Sequence, residues 1–210
     1  MVFDLDGTLV DSRRDLADAA NLVLEECGGR GHSEEAIGRM VGDGAATLVA
    51  RAFTAAGVLQ PADALERFLR VYNGRLLRHT RPYDGIPDLL TRLEGYAPLA
   101  VLTNKPIGPT RVILDALGLA KHFGGRVLGG DGPFPRKPDP AGLQALMADI
   151  ATPADTLLVG DSIIDCKTAH AADATACLAR YGFGAHGFPM SELRPRDLTI
   201  DDPLQLVGLV

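Results

Sequence analysis

The sequence has few cysteines, no excess of positive charge and no long apolar run, and each shortage closes off a class of protein. Its three cysteines, Cys27, Cys166 and Cys177, are odd in number, widely separated and without CxxC spacing. They suit small buried positions in a reducing compartment, not a disulfide framework or a zinc site. Lys and Arg number 21 against 27 Asp and Glu, a formal net charge of −6, whereas nucleic-acid binders usually carry a basic footprint. An anionic ligand must therefore be attracted locally, by a metal or a few cationic groups, and not by the overall field. No stretch approaches about 18 uninterrupted apolar residues, so no transmembrane helix is expected. The chain does not open on a basic segment followed by an apolar run, so no secretory signal is expected and a cytoplasmic location follows. Internal repeats and low-complexity segments are also missing.

What remains is the composition of an ordinary soluble protein, 46% hydrophobic and 23% charged over 210 residues. That length can bury a sizeable core, and it suits one full domain with a small insertion. From Arg13 to His79 the pattern is helical. Leu16, Ala19, Ala20, Val23 and Leu24 keep 3- and 4-residue spacing until Gly28-Gly29. Ser33 followed by Glu34-Glu35 reads as an N-cap with an acidic first turn. Ala46, Leu48, Val49 and Phe53 continue the pattern, and Pro61 is expected to open a further helix carrying Leu65, Phe68, Leu69, Tyr72 and Leu76. No strand is expected in this stretch.

After Arg81-Pro82-Tyr83-Asp84-Gly85 the character changes. Strands are expected at Leu99–Leu102, Val127–Leu128, Thr156–Val159 and Thr175–Leu178, with a last short one at Thr199–Ile200. Helices are expected between them, at Ile86–Glu94, Gly108–Leu117, Pro140–Ile150 and Ile163–Ala172, and after Pro203. Such alternation predicts an α/β fold, a Rossmann-like parallel sheet with helices on both faces and a small inserted all-helical cap. The expected division is a core of residues 1–13 and 82–210 and a cap of residues 14–81. Chemistry in such sheets gathers beyond the carboxyl ends of the strands.

The densest signal lies at the start, in Val2-Phe3-Asp4-Leu5-Asp6-Gly7-Thr8. In extended backbone the Asp4 and Asp6 side chains share a face about 7 Å apart, two like charges that repel unless a cation or a shared proton relieves them. On its own the pair could simply cap the following turn. It does not stand alone. Thr103-Asn104-Lys105 follows the Leu99–Leu102 strand, Lys137-Pro138-Asp139-Pro140 precedes a helix, and Asp161-Ser162 with Asp165 follows the Thr156–Val159 strand. Each expected strand thus ends in polar residues at one edge of the sheet.

These four patches, in chain order, resemble the four motifs of the haloacid dehalogenase superfamily, and the match spans the whole α/β part of the chain. The resemblance implies that Asp4 is a nucleophile forming an aspartyl-phosphate, that Asp6 is the general acid and base, and that Lys137 neutralises the phosphate and keeps Asp4 ionised. It implies Mg²⁺ held by the Asp4 carboxylate, the Asp6 main-chain carbonyl and Asp161, with Asp165 acting from just behind them. Thr103 and Asn104 are expected to donate hydrogen bonds to phosphate oxygens. Lys105 receives no role, because a lysine two residues on in such a loop is ordinarily solvated. Asp11 and Ser12 are expected to cap the first inserted helix.

An acid at position 6 disfavours the dehalogenase and phosphonoacetaldehyde hydrolase branches. A helical insertion directly after the first motif resembles the branch of phosphoglycolate phosphatases and β-phosphoglucomutases. Val41-Gly42-Asp43-Gly44, Thr103-Asn104-Lys105-Pro106, Leu128-Gly129-Gly130-Asp131, Arg136-Lys137-Pro138-Asp139-Pro140 and Tyr181-Gly182-Phe183-Gly184 are all similar to the bacterial phosphoglycolate phosphatase family. The implied activity is hydrolysis of a small phosphomonoester, 2-phosphoglycolate first, by a monomer or homodimer that binds neither nucleic acid nor membrane. The rivals are a phosphomutase and a non-catalytic binding protein that retains the fold.

In this family the Gly42–Gly44 loop meets the substrate, so the N–H groups of Gly42 and Gly44 are candidate contacts. Among Arg51, Arg75, Arg78 and His79 no single residue is assigned. Two departures stand out: Ala171-Ala172-Asp173-Ala174 where relatives commonly have a glycine, and His186 with Gly187-Phe188-Pro189 in place of a more polar segment. Only Met1, Val2 and Phe3 precede Asp4. A very short first strand is therefore expected, in a chain that begins later than its relatives.

Overall fold

A computed structural model describes residues 1–148 and 150–209. The chain opens on β1 (Val2–Phe3), turns at once into β2 (Val10–Asp11), and then makes four helices: α1 (Arg13–Glu26), α2 (Glu34–Gly38), α3 (Ala45–Ala56) and α4 (Ala64–Asn73). It returns through β3 (Arg81–Pro82) to α5 (Ile86–Leu93), β4 (Ala100–Leu102), α6 (Ile107–Ala116), β5 (Val127–Leu128) and α7 (Ala141–Met147). The order closes with β6 (Leu157–Gly160), α8 (Ile163–Ala171), β7 (Thr175–Ala179) and β8 (Leu198–Ile200).

Six strands form one sheet in the order β5-β4-β1-β6-β7-β8, and every pairing within it is parallel. The expected parallel α/β architecture is present. Strand residues alternate between faces, and each face has its own core. Phe3, Val101, Val159 and Cys177 join the cluster that continues into α1, α5 and α6. Val2, Ala100, Leu102, Leu158 and Ala176 pack with Leu143, Leu146, Cys166 and Ala169 of α7 and α8. With apolar side chains buried on both faces, two residues of β1 suffice for the middle of the sheet. Phe3 registers with Val101 on one side and Val159 on the other.

The helical insertion is joined to the sheet by a feature that periodicity misses. β2 and β3 form a two-residue antiparallel ribbon, Val10 opposite Pro82 and Asp11 opposite Arg81, so a strand does occur where the chain returns from the helices. Two residues, one a proline, are too few to give an alternating pattern. Beside the ribbon, fully buried Asp15 near the start of α1 accepts bonds from the His79 N–H, the Thr80 N–H and the Thr80 hydroxyl, each at 2.9 Å. Arg75 sits against Asp15 and pairs with Asp18. One carboxylate thus clasps the outgoing and returning chains.

Other boundaries move for local reasons. Ser33 caps α2 by accepting from the Ala36 N–H at 3.2 Å, as expected. Residues 61–63 make a turn, so α4 starts at Ala64 and not at Pro61. Ser12 occupies the N-cap position of α1 but makes no cap bond, whereas Asp11 accepts from the Arg13 N–H at 3.2 Å and pairs with its guanidinium. The helix expected over Pro140–Ile150 is regular only to Met147, and Asp149 lies outside the described residues. The segment after Pro203 is a 3-10 helix. In the Ala171–Ala174 stretch Asp173 adopts φ +57°, a left-handed turn that glycine takes freely and Asp tolerates. Among the described residues, no helix is long and apolar enough to cross a membrane.

Asp15→Ala leaves three donors without their acceptor, two of them buried. We expect a loss of about 2–4 kcal/mol in denaturant unfolding, with Asp15→Asn milder because an oxygen remains. A loss within about 0.5 kcal/mol of wild type would remove Asp15 as the clasp.

Candidate active site

β1 lies where the strand order reverses, with β4 on one side and β6 on the other, the position at which open α/β sheets place their ligands. Asp4 leaves the carboxyl end of β1, Thr103 follows β4 and Asp161 follows β6. Asp4 is tied to the sheet by its N–H to Val159 O at 2.9 Å. Lys137 arrives from the loop between β5 and α7. Its backbone is gripped by Asn104, whose Oδ1 accepts from the Lys137 N–H at 2.9 Å while Nδ2 donates to Lys137 O at 3.0 Å.

The Lys137 ammonium lies 2.8 Å from Asp4 Oδ1 and 2.5 Å from Asp165 Oδ1. Asp165 uses its other oxygen in the capping box of α8, accepting from the Ser162 hydroxyl at 2.6 Å. Asp165 is therefore the anchor of Lys137, a closer engagement than the expected place behind the metal. Ser162, not Asp161, caps the helix. Burial would lower the Lys137 ammonium, but Asp165 and Asp4 outweigh it and hold it raised, hence charged. Burial pushes Asp4 up to about 6 against the pull of Lys137. Burial, then Asp165 and Asp4, raises Asp161 well above the usual carboxylate range.

Carboxylate oxygens of Asp4, Asp161 and Asp165 lie within 4.8 Å of one another, and all three residues are buried. One ammonium serves three acids. The excess negative charge, an Asp4 Oδ1 that accepts no aligned hydrogen bond, and an Asp6 carbonyl that accepts none among the described residues suit a hard divalent cation, which takes oxygen ligands. The backbone crowds in to make room. A Cβ at Gly7, whose φ is +90°, would fall 1.9 Å from Asp161 Oδ2, and one at Gly182 would fall 2.3 Å from Asp161 Cβ. Only glycine allows these loops to approach so closely. Gly184 then donates its N–H to Asp161 Oδ2 at 2.7 Å.

Asp6 faces away from this cluster. It accepts from the Ser12 hydroxyl at 2.6 Å and meets Lys105 Nζ at 3.0 and 3.1 Å. Lys105, read from sequence as solvated, is buried, because α4 lays Tyr72 across it with the hydroxyl 2.6 Å from Nζ. A helical pattern reads Tyr72 as core, and nothing in the sequence signals its polar end. Ser12 was likewise legible only as a cap.

Asn104 offers its backbone, not its side chain. Its side-chain amide is fully used by Lys137 and by Gly42 O, at 2.8 Å, and is not free to donate to phosphate. The Asn104 N–H has no partner among the described residues, so any donation comes from the backbone. Thr103 accepts from the Lys105 N–H at 3.2 Å, which leaves its own proton to give. Gly42 and Gly44 face a cavity of about 50 Å³ that also meets Asp4, Asp6, Thr103 and Lys105. Arg51 pairs with Asp43, Arg75 with Asp18, and neither they nor Arg78 and His79 line it.

A family model for haloacid dehalogenase-like hydrolases matches residues 1–173. The chain belongs to that family. Among curated relatives, the phosphoglycolate phosphatase of Rhodospirillum rubrum is 43% identical over 193 residues, covering 87% of this chain and 80% of the relative. That of Pseudomonas fluorescens is 37% identical over 99% of this chain and 78% of the relative. The crystal structure of a predicted phosphoglycolate phosphatase from Haemophilus somnus superimposes with a TM-score of 0.88 at 31% identity, covering 99% of this chain and 96% of that one.

A hydrolase of this family with three clustered acids should be stabilised by the ion that relieves them. Adding Mg²⁺ at about a hundred times its Kd should raise the melting temperature by roughly 5–10 °C, and Asp161→Asn should remove the shift. An unmoved wild-type transition in calorimetry would eliminate the cation site.

Proposed function

We propose that this haloacid dehalogenase-like hydrolase is a Mg²⁺-dependent phosphatase that hydrolyses 2-phosphoglycolate through an aspartyl-phosphate. The observation that carries the reading is the placement of Asp4 on the central strand, between Lys137 and the Asp161 carboxylate, with unpaired donors close by. Phosphoryl transfer needs positioning and charge neutralisation more than elaborate covalent chemistry, and these residues supply both. The curated relatives called phosphoglycolate phosphatases support the substrate.

The residues divide the work. Asp4 attacks phosphorus in line and the ester oxygen departs with the Asp6 proton, leaving the phosphoryl group on Asp4. Water then attacks that phosphorus, Asp6 takes a proton from it, and inorganic phosphate leaves with Asp4 restored. Lys137 keeps Asp4 ionised for the first step and offsets phosphoryl charge in both. The Thr103 hydroxyl and the Asn104 N–H donate to phosphoryl oxygens. Asp4, Asp161 and the Asp6 carbonyl would hold Mg²⁺, which supplies charge neutralisation and orientation of the phosphoryl oxygens when bound. The helices α1–α4 act as the cap, covering the cavity through Gly42, Gly44 and Tyr72 and excluding bulk water.

Asp4→Asn should lower phosphate release from 2-phosphoglycolate by at least about a thousandfold while the far-ultraviolet spectrum stays that of wild type. Appreciable residual turnover would refute the nucleophile. EDTA should silence the wild type and Mg²⁺ restore it, whereas full activity in metal-free buffer would contradict the metal dependence. Isomerisation of a sugar phosphate without net phosphate release would decide for the mutase.

A further inference from the structure

We propose that the Lys105 ammonium and the Tyr72 hydroxyl together form the subsite for the carboxylate of the substrate, and so set specificity for an ester whose leaving group is a short hydroxy acid. The proposal rests on the phosphatase reading and deepens it.

The corner sets an ammonium and a phenol hydroxyl beside Asp6. Lys105 Nζ meets both oxygens of Asp6 at 3.0 and 3.1 Å and the Tyr72 oxygen at 2.6 Å. It also lies 4.5 Å from the centroid of the Tyr72 ring. An ammonium has three protons, and the two Asp6 oxygens and the Tyr72 oxygen take all three, so Lys105 offers a ligand its charge. Tyr72 receives its bond from Lys105, so its own proton is free, and no acceptor for it occurs among the described residues. The free Tyr72 proton and the Lys105 charge therefore converge on the cavity. Around them the wall is apolar, with Leu16, Leu48, Phe68 and Leu69 lining the same space. A group seated there must accept hydrogen bonds, and an anion does so best against an ammonium in a dry pocket.

The position suits a carboxylate in particular. The ester oxygen that takes the Asp6 proton must lie within hydrogen-bond reach of Asp6. Lys105 touches the same carboxylate from the far side, so a group two bonds beyond the ester oxygen falls beside Nζ. A neutral leaving group of equal length would reach the corner but bring no charge to the ammonium, a mismatch that costs selectivity. No other basic side chain lines the cavity among the described residues. Tyr72 comes from α4, and Lys105 from the loop after β4. The carboxylate would therefore bridge the helical insertion and the sheet, drawing closure and recognition into one contact.

The test compares kcat/KM for 2-phosphoglycolate with that for 2-hydroxyethyl phosphate, which has the same chain length and no carboxylate. Wild type should favour 2-phosphoglycolate by at least about tenfold. That preference should fall about tenfold in Lys105→Met and at least about threefold in Tyr72→Phe, whatever the absolute rates. Because Lys105→Met also unpairs Asp6 and could fold poorly, Tyr72→Phe decides alone where the lysine variant is not recovered. A preference unchanged within about twofold in Tyr72→Phe overturns the subsite. A wild-type ratio near unity overturns it as well, but leaves the phosphatase standing. A wild type that releases phosphate from neither ester refutes the underlying reading instead.

Discussion

The structure of the site hangs on one buried ammonium. Lys137 lies between Asp4 and Asp165, almost wholly out of water, and each of the three would be costly to bury without the others. Such groups are not retained for stability, since a well-packed apolar set of the same volume often does as well or better. They are retained here because the chain must carry an ionised carboxylate to the end of its central strand. Asn104 fixes the backbone of Lys137, the Ser162 capping box fixes Asp165, and the N–H to Val159 fixes Asp4. Three elements that are remote in sequence are thereby aimed at a point a few ångströms across. The position of the lysine, more than its charge, depends on that scaffolding.

A second ammonium, Lys105, lies against Asp6 as Lys137 lies against Asp4, so the two acids have different partners. Asp4 and Asp6 stand two residues apart, yet Asp4 belongs to the Asp161 and Asp165 cluster while Asp6 turns to Lys105 and Ser12. The two acids that make the sequence conspicuous thus have separate cationic partners. Different environments give two carboxylates different roles, an arrangement recurrent in enzymes that use one acid as nucleophile and another as proton carrier.

The sheet and the motif residues were legible because strong local signals report them. Buried parallel strands read as short apolar runs, and their carboxyl ends carried Asp4, Thr103 and Asp161. What escaped was either too short or too remote. The ribbon of Val10–Asp11 with Arg81–Pro82 has two residues a side and no periodicity. Lys105 looked solvated because its partners, Asp6 and Tyr72, are 99 and 33 residues away. The grip of the Asn104 side chain on Lys137 escaped because sequence shows an amide and not its commitments. Burial of a polar residue depends on what the rest of the chain lays over it, which spacing does not record.

Tyr72 shows how far that dependence runs. Its ring satisfies the apolar stripe of α4 and stacks on Phe68, 5.7 Å between centroids, while its oxygen reaches a lysine on the other side of the cavity. Burial pushes the phenol up to about 12, so the hydroxyl keeps its proton and remains a donor across the physiological range. A phenylalanine would keep the ring packing but take an acceptor from the buried Lys105 ammonium. The hydroxyl's oxygen is thus explained by the fold, whereas its proton has no acceptor among the described residues, and an unmet buried donor points to a ligand. An insertion that merely excluded water would need only an apolar face. One that carries a donor into the site selects what it closes upon.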